Sequence, residues 1–265
     1  MIDNPEYPPI ERPKKKERPP EAPPKGLFDR ALRAGKSVTH GLMMVPIYLI
    51  ASVVVGAAIA PGIGVYHLIA GLGEDSGVVL RTFASGVGIG AAFFTYGFAL
   101  LLVVPLVNWP LRSLVKPSRG SFHSAQFLPW YLHNSLAYIV RYSFLDYVTP
   151  TPLNHMYYGL MGMKIGKNTQ INSSNLTDAA LLVLEENVTI GGSASIICHY
   201  GQSGYLILAP TIIRRGAVIG MLATIMGDVE VGEDAKVLAN SLVLPKTRIP
   251  AGETWGGVPA KRIEL

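Results

Sequence analysis

Two kinds of apolar pattern divide the chain. Between Lys36 and Glu74 no Lys, Arg, Asp or Glu occurs, and a second uncharged stretch runs from Thr82 to Leu111. Each exceeds the roughly 20 residues a helix needs to cross about 30 Å of hydrocarbon. Neither shows the polar face of a surface helix, so both are predicted as transmembrane helices. The run Gly86-x-Gly88-x-Gly90-Ala91-Ala92 supplies small residues for close helix contact. Pro46 and Pro61 lie in the first span, where neighbouring helices can satisfy the freed carbonyls.

Further on, the apolar period changes to six. Aliphatic residues stand at Ile207, Ile213, Ile219, Ile225, Val231, Val237, Val243 and Ile249, eight in series. Four places after each come Thr211, Ala217, Ala223, Val229, Ala235, Ser241, Thr247 and Glu253, all but the last small or β-branched. The same phase appears at Ile165 and Ile171, and at Leu184, Ile190 and Ile196. Such a period fits neither an α-helix nor the alternation of a simple strand. It fits one short strand plus one turn per unit, three units closing a triangular coil whose stacked copies bury an aliphatic column. Two interruptions stand out. Thirteen residues separate Ile171 from Leu184, which extrudes one residue near 172–181, and eleven separate Ile196 from Ile207, which throws out a loop over Cys198–Tyr205. Insertions in a solenoid map to loops on one face, where sites are usually built.

Four regions follow: a Pro-rich basic arm (1–36), two transmembrane helices (37–119), an aromatic neck (120–160) and a parallel β-helix (161–265). Residues 1–25 hold eight of the twenty prolines and are predicted to be extended. The neck carries Phe122, Phe127, Trp130, Tyr131, Tyr138, Tyr142, Phe144, Tyr147, Tyr157 and Tyr158, with Arg141 and Asp146 as its only charges. It is predicted as amphipathic helices at the lipid surface.

Composition agrees with a membrane protein: 15% of residues are charged, against about 25% in soluble domains, and the mean hydropathy is +0.32. The net charge of +5 is unevenly spread, with 9 basic against 6 acidic residues in 1–36, 4 against 2 in 37–119 and 10 against 10 in 120–265. Arg30, Arg33 and Lys36 flank one end of the spans and Arg112, Lys116 and Arg119 the other, while the intervening loop holds Glu74 and Asp75. The positive-inside rule then sets both termini and the β-helix in the cytoplasm, at a bacterial inner membrane. A basic surplus beside the spans suits an anionic bilayer, and nucleic acid is not expected as a partner. The single cysteine, Cys198, excludes a disulfide scaffold and a Cys-rich metal site; it is expected to be a buried filler.

The repeat resembles that of the hexapeptide-repeat acyltransferase family, in a membrane-anchored variant, over about residues 150–265. The ending Trp255-Gly-Gly-Val-Pro-Ala-Lys-Arg-Ile263 is similar to the family's terminal signature, and 151–168 to its approach into the first coil. A weaker likeness links chains with membrane helices ahead of the solenoid to the C-terminal portions of some peptide-synthetase-linked membrane proteins. The family resemblance implies a left-handed β-helix that assembles as a trimer with sites at subunit boundaries. It implies an acyl group moved from acyl-CoA or acyl carrier protein to a hydroxyl or amine, with His199 as the general base and amides near Gly201 or Gly204 steadying the oxyanion. Tyr200, Gln202 and Tyr205 would line the acceptor loop; Trp255, Lys261 and Arg262 would meet the adenine and phosphates of the donor. No bound cofactor or metal is implied. The carbonic anhydrase activity known on this fold needs three histidines, and the coils offer only His199, with His155 just before them. Asp178, Glu185 and Glu186 are candidates to orient His199, and Arg214 and Arg215 are expected at a solvated corner. A different class of function, a non-catalytic subunit organising a larger membrane complex, also accommodates the arm and the solenoid.

Overall fold

The computed structural model describes residues 26–264. The predicted extended arm over 1–25 lies outside the described residues. Helix α1 (Gly26–Gly71) begins well inside the region assigned to the arm, two residues beyond Pro24, where the proline block on helix formation ends. A short loop, closed by Arg81 donating to the Glu74 carbonyl at 2.7 Å, leads into α2 (Val78–Arg112). Two segments, Met44–Gly71 of 28 residues and Val78–Arg112 of 35, are long and apolar enough to cross a membrane. The helices pack antiparallel through part of the predicted small-residue run. A Cβ on Gly62 would stand 2.8 Å from the Ala92 carbonyl oxygen, and one on Gly88 would stand 3.2 Å from the Tyr66 ring. Gly86 and Gly90 face open space, because residues two apart point to different sides of a helix.

The neck opens with a strand, β1 (Ser118–Ser121), that the aromatic pattern did not predict. A 3₁₀ turn (Ala125–Phe127), α3 (Leu128–Ser143), a second 3₁₀ turn (Leu145–Val148) and α4 (Pro152–Leu160) follow. Phe127, Leu136, Val140, Phe144, Leu145, Tyr157 and Tyr158 are buried in one apolar core continuous with the coils, while Tyr142 and Tyr147 stay exposed. The neck packs between α2 and the solenoid through Phe127, Phe144, Tyr157 and Tyr158, while Phe122 and Tyr138 are exposed as well.

The coils have three faces of parallel two- or three-residue strands. Ile165, Leu184, Ile213, Val231 and Ile249 fill the first column; Ile171, Ile190, Ile219, Val237 and Trp255 the second; Leu176, Ile196, Ile225 and Val243 the third. Four coils are complete and a fifth has two faces. At ten corners the residue three places after an inward one takes a positive φ: Asn168, Asn187, Ser193, Gly216, Leu222, Asp228, Asp234, Asn240, Lys246 and Gly252. Where the corner before such a residue meets the next coil, space is short: a Cβ on Gly220 would touch the Ala239 backbone.

Both interruptions lie where the period breaks, with one correction to the column. Ile207 is not a column residue. The chain leaves the second coil after Ile196 as a hairpin, β2 (His199–Gln202) and β3 (Tyr205–Leu208), and rejoins the first face at Thr211–Ile213. β1 pairs antiparallel with β3, so the neck and the hairpin form a three-stranded sheet outside the coil. The match of Ile207 to the six-residue phase arises because the excursion happens to preserve it. In the first coil, Leu176 occupies the third column one residue early, and eight residues then lead to Leu184. The surplus forms a corner in which Asp178 has φ 57° and Ala179–Leu181 make a 3₁₀ turn.

Candidate functional site

These two excursions lie one above the other, on consecutive coils, and this stacking builds the site. His199 leaves the coil at the start of β2 and Asp178 sits at the corner of the rung before it. The Nδ1 of His199 lies 2.6 Å from Asp178 Oδ2. The Asp178 side chain is fully buried, and the imidazole is one-quarter exposed. Oδ2 also accepts from the Cys198 amide at 3.0 Å and the Thr177 hydroxyl at 3.2 Å. Oδ1 accepts from Trp130 Nε1 at 2.7 Å and Asn134 Nδ2 at 2.9 Å, both on α3. Burial alone would raise the carboxyl's pKa, but the His199 hydrogen bond and charge, with the Trp130 and Asn134 donors, hold it below the usual carboxylate value. An ionised carboxylate only accepts hydrogen bonds, so Nδ1 carries a proton, and in the neutral imidazole the lone pair then lies on Nε2. The arrangement is a histidine fixed in one tautomer by a buried acid, as in general-base catalysis.

The indole of Trp130 also meets the His199 ring edge-on, 5.0 Å between centroids. Both neck residues were missed by sequence reasoning, which saw only the aromatic character of 120–160. The signal available was the four-residue spacing of Trp130 and Asn134, which puts them on one helix face. Of the candidate partners for His199, Asp178 alone meets it. Glu185 pairs with Arg214 at 2.7 Å, Arg214 also with Glu230 at 2.7 Å, and Arg215 with Glu233 at 3.1 Å on an exposed face. Glu186 is exposed in a groove with Glu185, Arg215 and Glu233.

In the hairpin, Tyr200 and Tyr205 are buried; the guanidinium of Arg119 lies 4.8 Å above the Tyr205 ring. Gln202 is exposed, its Oε1 3.5 Å from Lys246 Nζ. A Cβ on Gly201 would stand 3.3 Å from the Phe122 ring. Cys198 is buried and burial pushes its thiol pKa up, so no thiolate forms near neutrality.

Trp255, Lys261 and Arg262 gather at the far end of the solenoid, in a hairpin of β4 (Thr254–Gly256) and β5 (Lys261–Ile263). Trp255 Nε1 donates to Glu253 Oε2 at 2.8 Å and Arg262 Nε lies 3.4 Å from Glu253 Oε1. Three rungs separate this cluster from the His199 rung, about 14 Å at the spacing of adjacent strands, so the two groups do not form one pocket within the chain. Among the described residues, no group of three or more His, Cys, Asp and Glu is placed to hold a metal. His155 is engaged elsewhere, its Nε2 2.7 Å from the Thr169 carbonyl.

No family model matches the chain. It is 28% identical over 111 residues to delta-poly-L-ornithine synthetase of Acinetobacter baumannii, covering 42% of this chain and 8% of that protein. It is 38% identical over 103 residues to the mitochondrial gamma carbonic anhydrase 2 of Arabidopsis thaliana, covering 38% of this chain and 33% of the relative. It is also 38% identical over 100 residues to serine acetyltransferase of Buchnera aphidicola, covering 38% of this chain and 30% of that one. The matched stretch therefore spans a third or less of each of these relatives. Taken with the triangular coils and their six-residue column, these matches support the likeness of the coil region to the hexapeptide-repeat acyltransferase family.

Proposed function

We propose that the chain is a membrane-anchored acyltransferase in which His199 is the general base. The Asp178–His199 contact carries this reading: a buried, hydrogen-bonded carboxylate holds Nδ1 of an imidazole that is one-quarter exposed. The acceptor hydroxyl or amine gives its proton to Nε2 as its oxygen or nitrogen bonds to the thioester carbonyl carbon. The tetrahedral intermediate then expels the thiol, which takes the proton back from the imidazolium, so the base is regenerated. The donor is acyl-CoA or acyl carrier protein, with Trp255, Lys261 and Arg262 as candidate contacts and Tyr200, Gln202 and Tyr205 beside the acceptor.

The outward faces of α1 and α2 support membrane insertion: Leu49, Val53, Phe83 and Leu106 are all more than 60% exposed, and an apolar patch of that extent is stable only when covered. Both termini and the β-helix then face the cytoplasm. An acceptor confined to the same leaflet suits an enzyme anchored there. Three copies sharing subunit boundaries are the proposed assembly.

Calorimetry with acetyl-CoA and longer acyl-CoAs on detergent-purified protein tests the reading, with release of free thiol in the presence of candidate amines and alcohols as its second arm. Micromolar binding, about −8 kcal/mol, with thiol release lost in His199→Ala while binding persists, is the expected result. Equal thiol release by wild type and His199→Ala removes the assigned base. Absence of donor binding across the acyl-CoA and acyl carrier protein series replaces the enzyme with a non-catalytic subunit of a membrane complex.

A further inference from the structure

A buried carboxylate that orients a histidine is useful only if it is itself held still. The coil supplies Asp178 with the Cys198 amide and the Thr177 hydroxyl, both on the oxygen that faces His199. Its other oxygen is held from the neck, by the Trp130 indole at 2.7 Å and the Asn134 amide at 2.9 Å. Asn134 is 5% exposed and Asp178 1%. Trp130 also packs its ring against His199, so a single side chain touches both members of the pair. We propose that Trp130 and Asn134, which belong to the neck helix α3, are positioning residues that lock the Asp178 carboxylate and thereby keep the His199 proton on Nδ1. This rests on the acyl-transfer reading for its catalytic consequence, but the tautomer lock stands as a property of the folded chain.

The inference makes the neck part of the working site. In the absence of both donors, Oδ1 would be a charged oxygen buried without partners, which is strongly unfavourable. The carboxyl would rotate toward other donors or take up a proton, and either change loosens its grip on Nδ1. The neck is tied onward to the membrane-proximal helix: the Ala125 amide, three residues before α3, donates to Asp29 of α1 at 3.0 Å.

Trp130→Phe keeps an aromatic ring beside His199 and deletes only the N–H, and Asn134→Leu replaces the amide by a similar volume. The full-length protein in detergent, with nitrogen-15-labelled histidine, is the sample. Ring nitrogen chemical shifts report which nitrogen of His199 carries the proton, His199→Gln identifying the signals. Wild type is expected to show a single Nδ1–H tautomer and the double variant a mixture. In the thiol-release assay kcat should fall between about 10- and 100-fold, the range carried by groups that orient a functional histidine, with KM for the donor unchanged. A merely structural role would lower the unfolding midpoint and leave the tautomer and the kcat of the folded fraction as in wild type; that result overturns the proposal. If wild type shows no turnover with any acceptor, acyl transfer fails, yet the tautomer measurement still decides whether Trp130 and Asn134 position the pair. A double variant with an unchanged Nδ1–H signal refutes it in that case too.

Discussion

Leu222 stands at a corner whose equivalents on other rungs are Asn, Asp, Ser, Gly and Lys, with φ 60° and half its surface exposed. A left-handed backbone costs an ordinary side chain roughly 1–2 kcal/mol through the clash of Cβ with the carbonyl, and Asn tolerates it best after Gly. Leu222→Asn is therefore expected to stabilise the coils by about 1 kcal/mol, read as a raised thermal midpoint of purified protein. A lowered midpoint would show that the Leu222 side chain is packed against something, a second copy included. The corner residues were legible only in part: Asn168, Asn187, Asp234 and Asn240 are polar turn formers, whereas Leu222 and Lys246 carry no turn signal and owe their conformation to the stacking of the rungs around them.

Among the helices, the contact between α2 and the neck turns on one glycine. A Cβ on Gly97 would run into the Phe144 ring, whose neighbours Phe93, Phe98 and Tyr147 stand at centroid distances of 5.8, 5.4 and 5.9 Å from it. Gly97→Ala should cost roughly 1–3 kcal/mol by overpacking. Gly86→Ala, facing open space, should be neutral or stabilising by up to about 1 kcal/mol from helix propensity. Unfolding midpoints of the two variants in detergent check the pair, and equal midpoints would mean that the neck does not seat on α2 as described. Both glycines read alike in sequence, since each lies in an apolar, small-residue-rich span. Only the position of Phe144, 47 places beyond Gly97, separates them.

Across the whole molecule, the apolar core that joins neck and coils contains a histidine. His133 on α3 is fully buried, neither ring nitrogen has a hydrogen-bond partner among the described residues, and burial lowers its pKa to about 4, against a smaller raising effect of the Asp178 charge. The unfolded chain takes up this proton near pH 6.5 and the folded chain only near 4, so stability falls as pH drops through that window. The loss should approach about 3 kcal/mol by pH 4. Asp178 adds a further loss below pH 3.8, because its lowered folded value makes it a stabilising anion only above the unfolded one. Unfolding midpoints of wild type and His133→Gln between pH 7 and 4 provide the check. A wild-type slope that survives in His133→Gln would assign the acid sensitivity to other groups.

The amino-acid sequence determined the two long apolar helices and the coils by itself. Hydrophobic length and a six-residue period are properties of consecutive residues, summed over many positions, so a single exception such as Ile207 does not obscure them. It also exposed the two interruptions, because a break in a period is visible without coordinates. The tertiary structure alone decided what the interruptions are for. His199 and Asp178 are 21 residues apart, and Trp130 and Asn134 lie 48 and 44 residues before Asp178. Their meeting depends on how many residues each rung consumes and on the angle at which α3 docks. Those quantities are set by packing between segments distant in the chain, and no local pattern encodes them.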